Sequence, residues 1–326
     1  MNKVEDTICA VVVTYNRKHL LVETLTAVIN QSLPLSAIYI IDNASTDLTE
    51  EFLVEKKFLE KSPPSNLEES WEITNIILSY KNNLNIHYVK MPNNTGGAGG
   101  FYEGIKRAIQ KGYDWVWLMD DDVIPNEDAL KELLKASERL PNIGFLCSRV
   151  IGEDGSSMNV PEIDFRVGNS CYPEWGKYLE MGIVKVKSAT FVSVLINTNV
   201  IRDIGLPIKE MFIWGDDTEY TTRITNKYEG YLVGTSEVLH KRKQQMVLSI
   251  VSEKEKNRIK NYYYSYRNFV YILRKHHNNK LLMKYIIRSL IDCIRCLKSD
   301  TFKIYKIFVI IKGLLSGFKF KPRTKY

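Results

Sequence analysis

Three consecutive aspartates, Asp120, Asp121 and Asp122, follow the apolar run Trp115-Val116-Trp117-Leu118-Met119. Carboxylates crowded at the end of a buried strand raise one another's proton affinity, and a shared cation relieves the crowding. Hard divalent ions such as Mn²⁺ and Mg²⁺ take oxygen ligands and link protein carboxylates to phosphates. The triplet therefore reads as a metal site or as a solvated acidic turn. His240, ahead of Lys241-Arg242-Lys243, offers an imidazole that could complete the coordination of Mn²⁺. A second acidic cluster, Trp214-Gly215-Asp216-Asp217, again follows an apolar stretch. A carboxylate beside Trp214 could have a raised proton affinity and act as a general base. Equally, Asp216 would cap a helix and Asp217 would favour its dipole.

Asn94-Thr95-Gly96-Gly97-Ala98-Gly99-Gly100-Phe101 carries four glycines in five positions, between a strand ending at Met91 and a helix expected from Tyr102. Glycines there let the backbone approach a ligand and turn amide N–H groups toward a phosphate or a sugar hydroxyl. No Gly-Lys-Ser/Thr follows, so this is not a P-loop, and the motif does not follow the first strand as a dinucleotide fingerprint would. Asp42 ends the second expected strand, at the sheet edge where doubly wound folds bind ligands, and could accept hydrogen bonds from a ribose or a base. An Asx-type turn is the alternative.

These groups require elements that bring them to one edge. β-branched or apolar runs at 8–13, 38–41, 86–91 and 115–119 alternate with helical patterns, such as Leu20, Leu21, Leu25 and Val28 in 19–30. That alternation predicts parallel pairing with right-handed crossovers: an α/β fold with a doubly wound, mostly parallel sheet and helices on both faces. Further along, 126–139 and 216–228 read as helices, and 143–150, 189–196 and 231–239 as strands. Residues 61–85 read as a polar insertion with a short helix at 67–78, and 153–178 as loop.

Residues 254–326 hold 19 Lys or Arg against 3 Asp or Glu, whereas the preceding 253 residues are net negative by 9. An acidic body with a basic tail predicts an interaction surface at the tail and excludes a nucleic-acid-binding core. Lys284, Arg288, Asp292 and Arg295 recur on one stripe of an otherwise apolar helical pattern at 281–297, and 304–318 is more apolar still. Both are shorter than the roughly 20 residues that span a bilayer. The expected division is a body at 1–250 and a basic helical appendage at 251–326. The appendage would lie on a membrane surface, with packing on the body or on a partner subunit as the alternative. Five scattered cysteines suit reduced thiols, and the first six residues lack a secretory signature. Together these point to a cytoplasmic protein, peripheral on the inner face of the cell membrane.

In order, Thr14-Tyr15-Asn16-Arg17, Ile41-Asp42-Asn43-Ala44-Ser45-Thr46-Asp47, the glycine motif, the aspartate triplet, Gly215-Asp216-Asp217 and His240 resemble the inverting glycosyltransferases of family 2, with the GT-A fold. The resemblance covers about residues 7–245 and is greatest to the branch holding galactofuranosyltransferases and some rhamnosyltransferases. It implies that Thr14, Asn16, Arg17 and Asp42 contact the nucleotide. Asn94, Gly96, Gly97, Gly99 and Gly100 would line donor sugar and diphosphate, with Asp120, Asp121 and Trp214 also at the donor. It further implies Mn²⁺ or Mg²⁺ on Asp120, Asp122 and His240, and Asp217 or its neighbour Asp216 as general base. A nucleotide-sugar donor and a glycan or lipid-linked acceptor would be the partners; an oligomer remains open. In the galactofuranosyltransferases the tryptophan abuts the two aspartates, whereas here Gly215 intervenes.

Overall fold

All seven positions of Ile8–Thr14 (β1) are buried, which a strand achieves only when both sheet faces are covered. Its side chains alternate accordingly. Ile8, Ala10 and Val12 enter one core cluster, and Cys9, Val11 and Val13 enter another. The computed structural model describes residues 6–64, 67–78, 83–168, 171–242, 249–276 and 279–323. The first five residues and Lys243, both used above, lie outside these.

From β1 the chain runs through α1 (Lys18–Ile29), β2 (Ala37–Asp42), α2 (Thr49–Glu55), β3 (Trp71–Leu78), β4 (Asn83–Lys90), α3 (Gly96–Lys111) and β5 (Trp115–Asp120). It continues with β6 (Val123–Pro125), α4 (Ala129–Ser137), β7 (Ile143–Ile151), β8 (Glu162–Ile163), β9 (Ile183–Ser188) and β10 (Val194–Asn197). Then come α5 (Thr198–Ile204), α6 (Asp216–Thr225), β11 (Glu229–His240), α7 (Lys256–Lys275), α8 (Asn279–Cys296) and α9 (Lys303–Lys319). One sheet results, ordered β3-β4-β2-β1-β5-β10-β7-β11-β9-β8, with β6 added to β11. β4, β2, β1 and β5 form a parallel block, and β7 and β11 are also parallel. Leu21, Leu25 and Val28 of α1 and Leu130 and Leu133 of α4 cover one face. Phe101 and Ile105 of α3, Ile201 of α5 and Tyr220 of α6 cover the other.

In the parallel block Thr14 pairs with Asp42 and Asp42 with Lys90, while Val13 pairs with Asp120. The carboxyl ends of all four strands therefore share one edge. β11 carries an irregularity: Val233 opposes Ser148 and Glu237 opposes Arg149, so three residues of β11 bulge out before pairing resumes. Beyond it His240 opposes Val123 of β6.

The short helix expected at 67–78 is instead β3, antiparallel to β4 from Trp71 opposite Lys90 to Leu78 opposite Asn83. Isoleucines and a threonine favour the pleated conformation, and Trp71 and Ile73 pack on the core from alternate positions. The helix expected from Tyr102 begins six residues earlier, at Gly96. β9 and α7 had not been anticipated. α7 and α9 pack together in a core containing Ile259, Tyr266, Val270, Ile310 and Leu314. α8 exposes Met283, Ile287, Leu290 and Ile294, with Leu297 just past its end, and α9 exposes Ile304, Phe308, Ile311, Leu315 and Phe318. Both stripes repeat at steps of four and three. No helix among the described residues is long and apolar enough to cross a membrane.

Candidate active site

Asp120 is the last residue of β5, and Asp121 and Asp122 turn the chain into β6. Because β6 pairs with β11, His240 arrives beside the turn. Its Nε2 lies 3.1 Å from Asp122 Oδ1, and one ligand atom from each of Asp120, Asp122 and His240 fits within 4.8 Å. His240 Nδ1 lies 2.9 Å from Asn159 Oδ1. With Nδ1–H donating to that oxygen, Nε2 faces Asp122 with a lone pair. Two acceptors so placed are reconciled by a shared cation, a proton or a metal ion. Two carboxylates and an imidazole thus form a donor set that fits Mn²⁺ or Mg²⁺.

The electrostatics agree. Desolvation, then Asp122 and Asp121, pushes Asp120 well above the ordinary carboxylate range. Burial raises Asp121 to about 6 against the pull of Arg17. At Asp122 burial also acts upward, but with a proton shared on Nε2 the hydrogen bond and charge of His240, with Arg17, outweigh it and hold the group below its usual value. Arg17 Nη1 lies 2.6 Å from Asp122 Oδ2 and 3.3 Å from Asp121 Oδ1. Asp121 also accepts a 2.7 Å bond from Thr14 Oγ1, so it faces β1 rather than the cluster.

Across the cleft, Gly215 (φ 98°) turns the chain into α6, whose first turn carries Asp216 and Asp217. The helix N-terminus favours negative charge there. Asp217 Oδ1 accepts from Thr218 N–H at 2.6 Å and Thr218 Oγ1 at 3.2 Å. Burial, reinforced by Asp217, raises Asp216 to about 8. Burial also raises Asp217, but the Thr218 bonds oppose it. Near neutral pH Asp216 therefore holds a proton, while the Thr218 bonds favour the charged form of Asp217 and make it the member suited to accept one.

A cleft of about 530 Å³ joins the two clusters. Of the residues singled out in the sequence, Arg17, Gly97, Asp120, Asp121, Asp122, Trp214, Asp216, Asp217 and His240 line it. Thr14, Asn16, Asp42, Asn94, Gly96, Gly99 and Gly100 do not. Asp42 is fully buried and accepts from Ser45 N, Tyr88 Oη and Lys90 Nζ. Asn16 accepts from Thr46 N–H, tying the first two strand ends together, and Asn94 accepts from Gly96 N–H. Packing by itself requires most of the glycines of this motif. A Cβ on Gly96 (φ +72°) would lie 1.9 Å from Phe212 O, and one on Gly100 would lie 2.4 Å from Val13 Cγ1. Gly97 alone of these has open space at that position and faces the cleft. Asn159, Phe191, Arg258 and Asn261 also line the cleft and had escaped notice. Asn159 sits in a loop without periodicity, and nothing local marks it; Arg258 and Asn261 belong to α7, whose spacing could have been read.

The profile of the family described as glycosyl transferase family 2 matches residues 9–63 and 68–194, more than half of the chain. The chain belongs to glycosyl transferase family 2. Among curated relatives it is similar to galactofuranosyltransferase GlfT1 of Mycolicibacterium smegmatis, 24% identical over 228 residues, and to GlfT1 of Mycobacterium tuberculosis, 26% identical over 226. Each alignment covers 67% of this chain, which spans about 65% and 64% of those relatives' lengths. Among solved structures, S. aureus TarS shares the fold at a TM-score of 0.52 and 16% identity, covering 96% of this chain and 72% of the other. Mannosyltransferase PcManGT of Pyrobaculum calidifontis, in complex with GDP-Man and Mn²⁺, does so at 0.53 and 14%, covering 97% and 76%. The likeness to these structures is one of fold, a GT-A-like α/β arrangement.

Proposed function

We propose that the chain transfers galactofuranose, with inversion, from UDP-galactofuranose to a glycan acceptor carried on a lipid, in cell-surface polysaccharide synthesis. The carrying observation is that the Asp120–Asp122–His240 cluster and Asp217 line one cleft. The cation held by the cluster would supply positive charge for the departing diphosphate. Arg242 and Arg258 line the same cleft and add to it. Asp217 accepts the proton of an acceptor hydroxyl while that oxygen attacks the anomeric carbon on the face opposite the diphosphate. The new glycosidic bond forms as the old carbon–oxygen bond breaks, and the proton stays on Asp217. The galactofuranose assignment leans on GlfT1 similarity; Gly215, between Trp214 and the aspartates, departs from that pattern, and a rhamnosyl or hexosyl donor is the second reading.

The unpartnered apolar stripes of α8 and α9, in a basic tail, support seating on the cytoplasmic face of the cell membrane, with the appendage at 251–326 as the contact. Incubating the protein with UDP-galactofuranose, UDP-galactose, UDP-GlcNAc, GDP-mannose and dTDP-rhamnose, with Mn²⁺ or with chelator, tests the chemistry. Nucleoside diphosphate release is expected from UDP-galactofuranose, only with metal. Release from another sugar alone would replace the donor, and release unaffected by chelator would remove the metal.

A further inference from the structure

The loop that delivers Asp216 and Asp217 is held by the tail. Asn268, fully buried on α7, has its Nδ2 at 2.9 Å from Met211 O, 3.1 Å from Ile213 O and 2.8 Å from Trp214 O. Its Oδ1 accepts from Arg267 Nε at 3.0 Å and from Arg267 Nη2 at 2.9 Å, which fixes the orientation of the amide. Arg267 Nη2 also reaches Glu210 O at 2.6 Å. Two adjacent tail side chains thus take four of the five carbonyls from Glu210 to Trp214. The fifth, Phe212 O, accepts from Ala98 N–H at the start of α3.

This loop does not hold its shape unaided. Phe212 (φ 65°) and Trp214 (φ 63°) both adopt the left-handed region, which bulky L residues avoid unless their surroundings impose it. Carbonyls turned inward by such a backbone need donors, and an amide is the compact side chain that gives two N–H groups without charge. α7 is itself fixed. A Cβ on Gly313 of α9 would lie 2.9 Å from Tyr263 O, and one on Gly317 would lie 2.7 Å from Arg267 O, so the two helices meet backbone to backbone. The Arg267 guanidinium lies 4.1 Å from the centroid of the Phe320 ring, just beyond α9.

We propose that Asn268 is a positioning residue for the general base: it fixes the strained loop before α6 and so aims Asp217 at the acceptor hydroxyl. The inference rests on the reading of Asp217 as base. It makes the tail a working part of the transfer site, besides any role as an anchor.

Asn268→Ala tests it. The variant should bind UDP with Mn²⁺ as the parent does, because the nucleotide half of the site lies on other strands. Its kcat for transfer should fall roughly 10–100-fold with little change in donor KM, the effect expected when a reacting group is slightly misplaced. Amide hydrogen exchange should quicken across residues 212–217 while β1 and β5 stay protected. Asn268→Gln, which keeps both donors on a longer arm, should fall between parent and alanine variant, and decides the matter by the same two readouts should the alanine variant not fold. A folded variant with unchanged kcat, or unchanged exchange at 212–217, overturns the inference; so does a loss of UDP affinity in step with kcat. Asp217→Asn separates the two claims. Should it transfer normally, the base assignment fails; should it be dead while the Asn268 variants are fully active, only the clamp fails.

Discussion

Exchanging Asp217 for asparagine removes a proton acceptor and almost nothing else. The substituted side chain keeps an oxygen where Asp217 Oδ1 now accepts from Thr218 N–H and Thr218 Oγ1, so the first turn of α6 is retained. Its charge, which raises the proton affinity of Asp216, disappears. A positioned base contributes about 10²–10⁴-fold, or roughly 3–5 kcal/mol of barrier, and Asp217→Asn should lose that much in kcat. Donor affinity should stay at the parent value and the melting temperature should hold or rise. Asp216→Asn should lose far less, because Asp216 already carries a proton near neutral pH. The assay couples nucleoside diphosphate release to transfer, with calorimetry of UDP and Mn²⁺ on each variant. Full turnover in Asp217→Asn, or a larger loss in Asp216→Asn, would refute the assignment of the two carboxylates.

The imidazole geometry makes Asn159→Ala informative: loss of the partner that orients His240 should weaken Mn²⁺ binding roughly 10–100-fold by calorimetry, and Asp122→Ala should weaken it further. Asp216 binds its proton more tightly folded than unfolded, since its folded value is about 8 against an ordinary 3.8. The stability it adds is full below the unfolded value and is lost as pH rises through 8. Metal-free protein should therefore lose about 2–3 kcal/mol between pH 6 and pH 8, and Asp216→Asn should flatten the decline in thermal melts. Ile294→Glu and Phe308→Glu, on the exposed stripes of α8 and α9, should each lower partition onto anionic vesicles about tenfold without shifting the melting temperature. Unchanged vesicle binding, with altered oligomeric state, would assign the stripes to a second copy of the chain.

The parallel block was readable because strands covered on both faces are written as unbroken apolar runs, and their ends then place Thr14, Asp42 and Asp120 at one edge. The acidic clusters were legible for the same reason: each follows an apolar stretch that fixes where the chain must emerge. What escaped was what depends on partners distant in sequence. Trp71–Leu78 becomes a strand because β4 is there to pair with it, and Gly96 and Gly100 of α3 are explained by Phe212 and Val13, which no local pattern reveals. Asn159 acts on an imidazole 81 residues away. The rhythm of the tail showed amphipathic helices but not that α7 would grip the loop before α6.

The bulge in β11 separates the length of that strand from the aim of its last residue. Val233 and Val238 face the same core although they are five positions apart, so the excursion resets the alternation of side chains instead of carrying it through. From Glu237 onward the side each residue takes is set by its partners, Arg149, Val150 and Ile151 of β7 and Val123 of β6. A change in the length of the excursion would leave the imidazole of His240 where it is, whereas a slip of one residue between β11 and β6 would turn it to the opposite side of the ribbon.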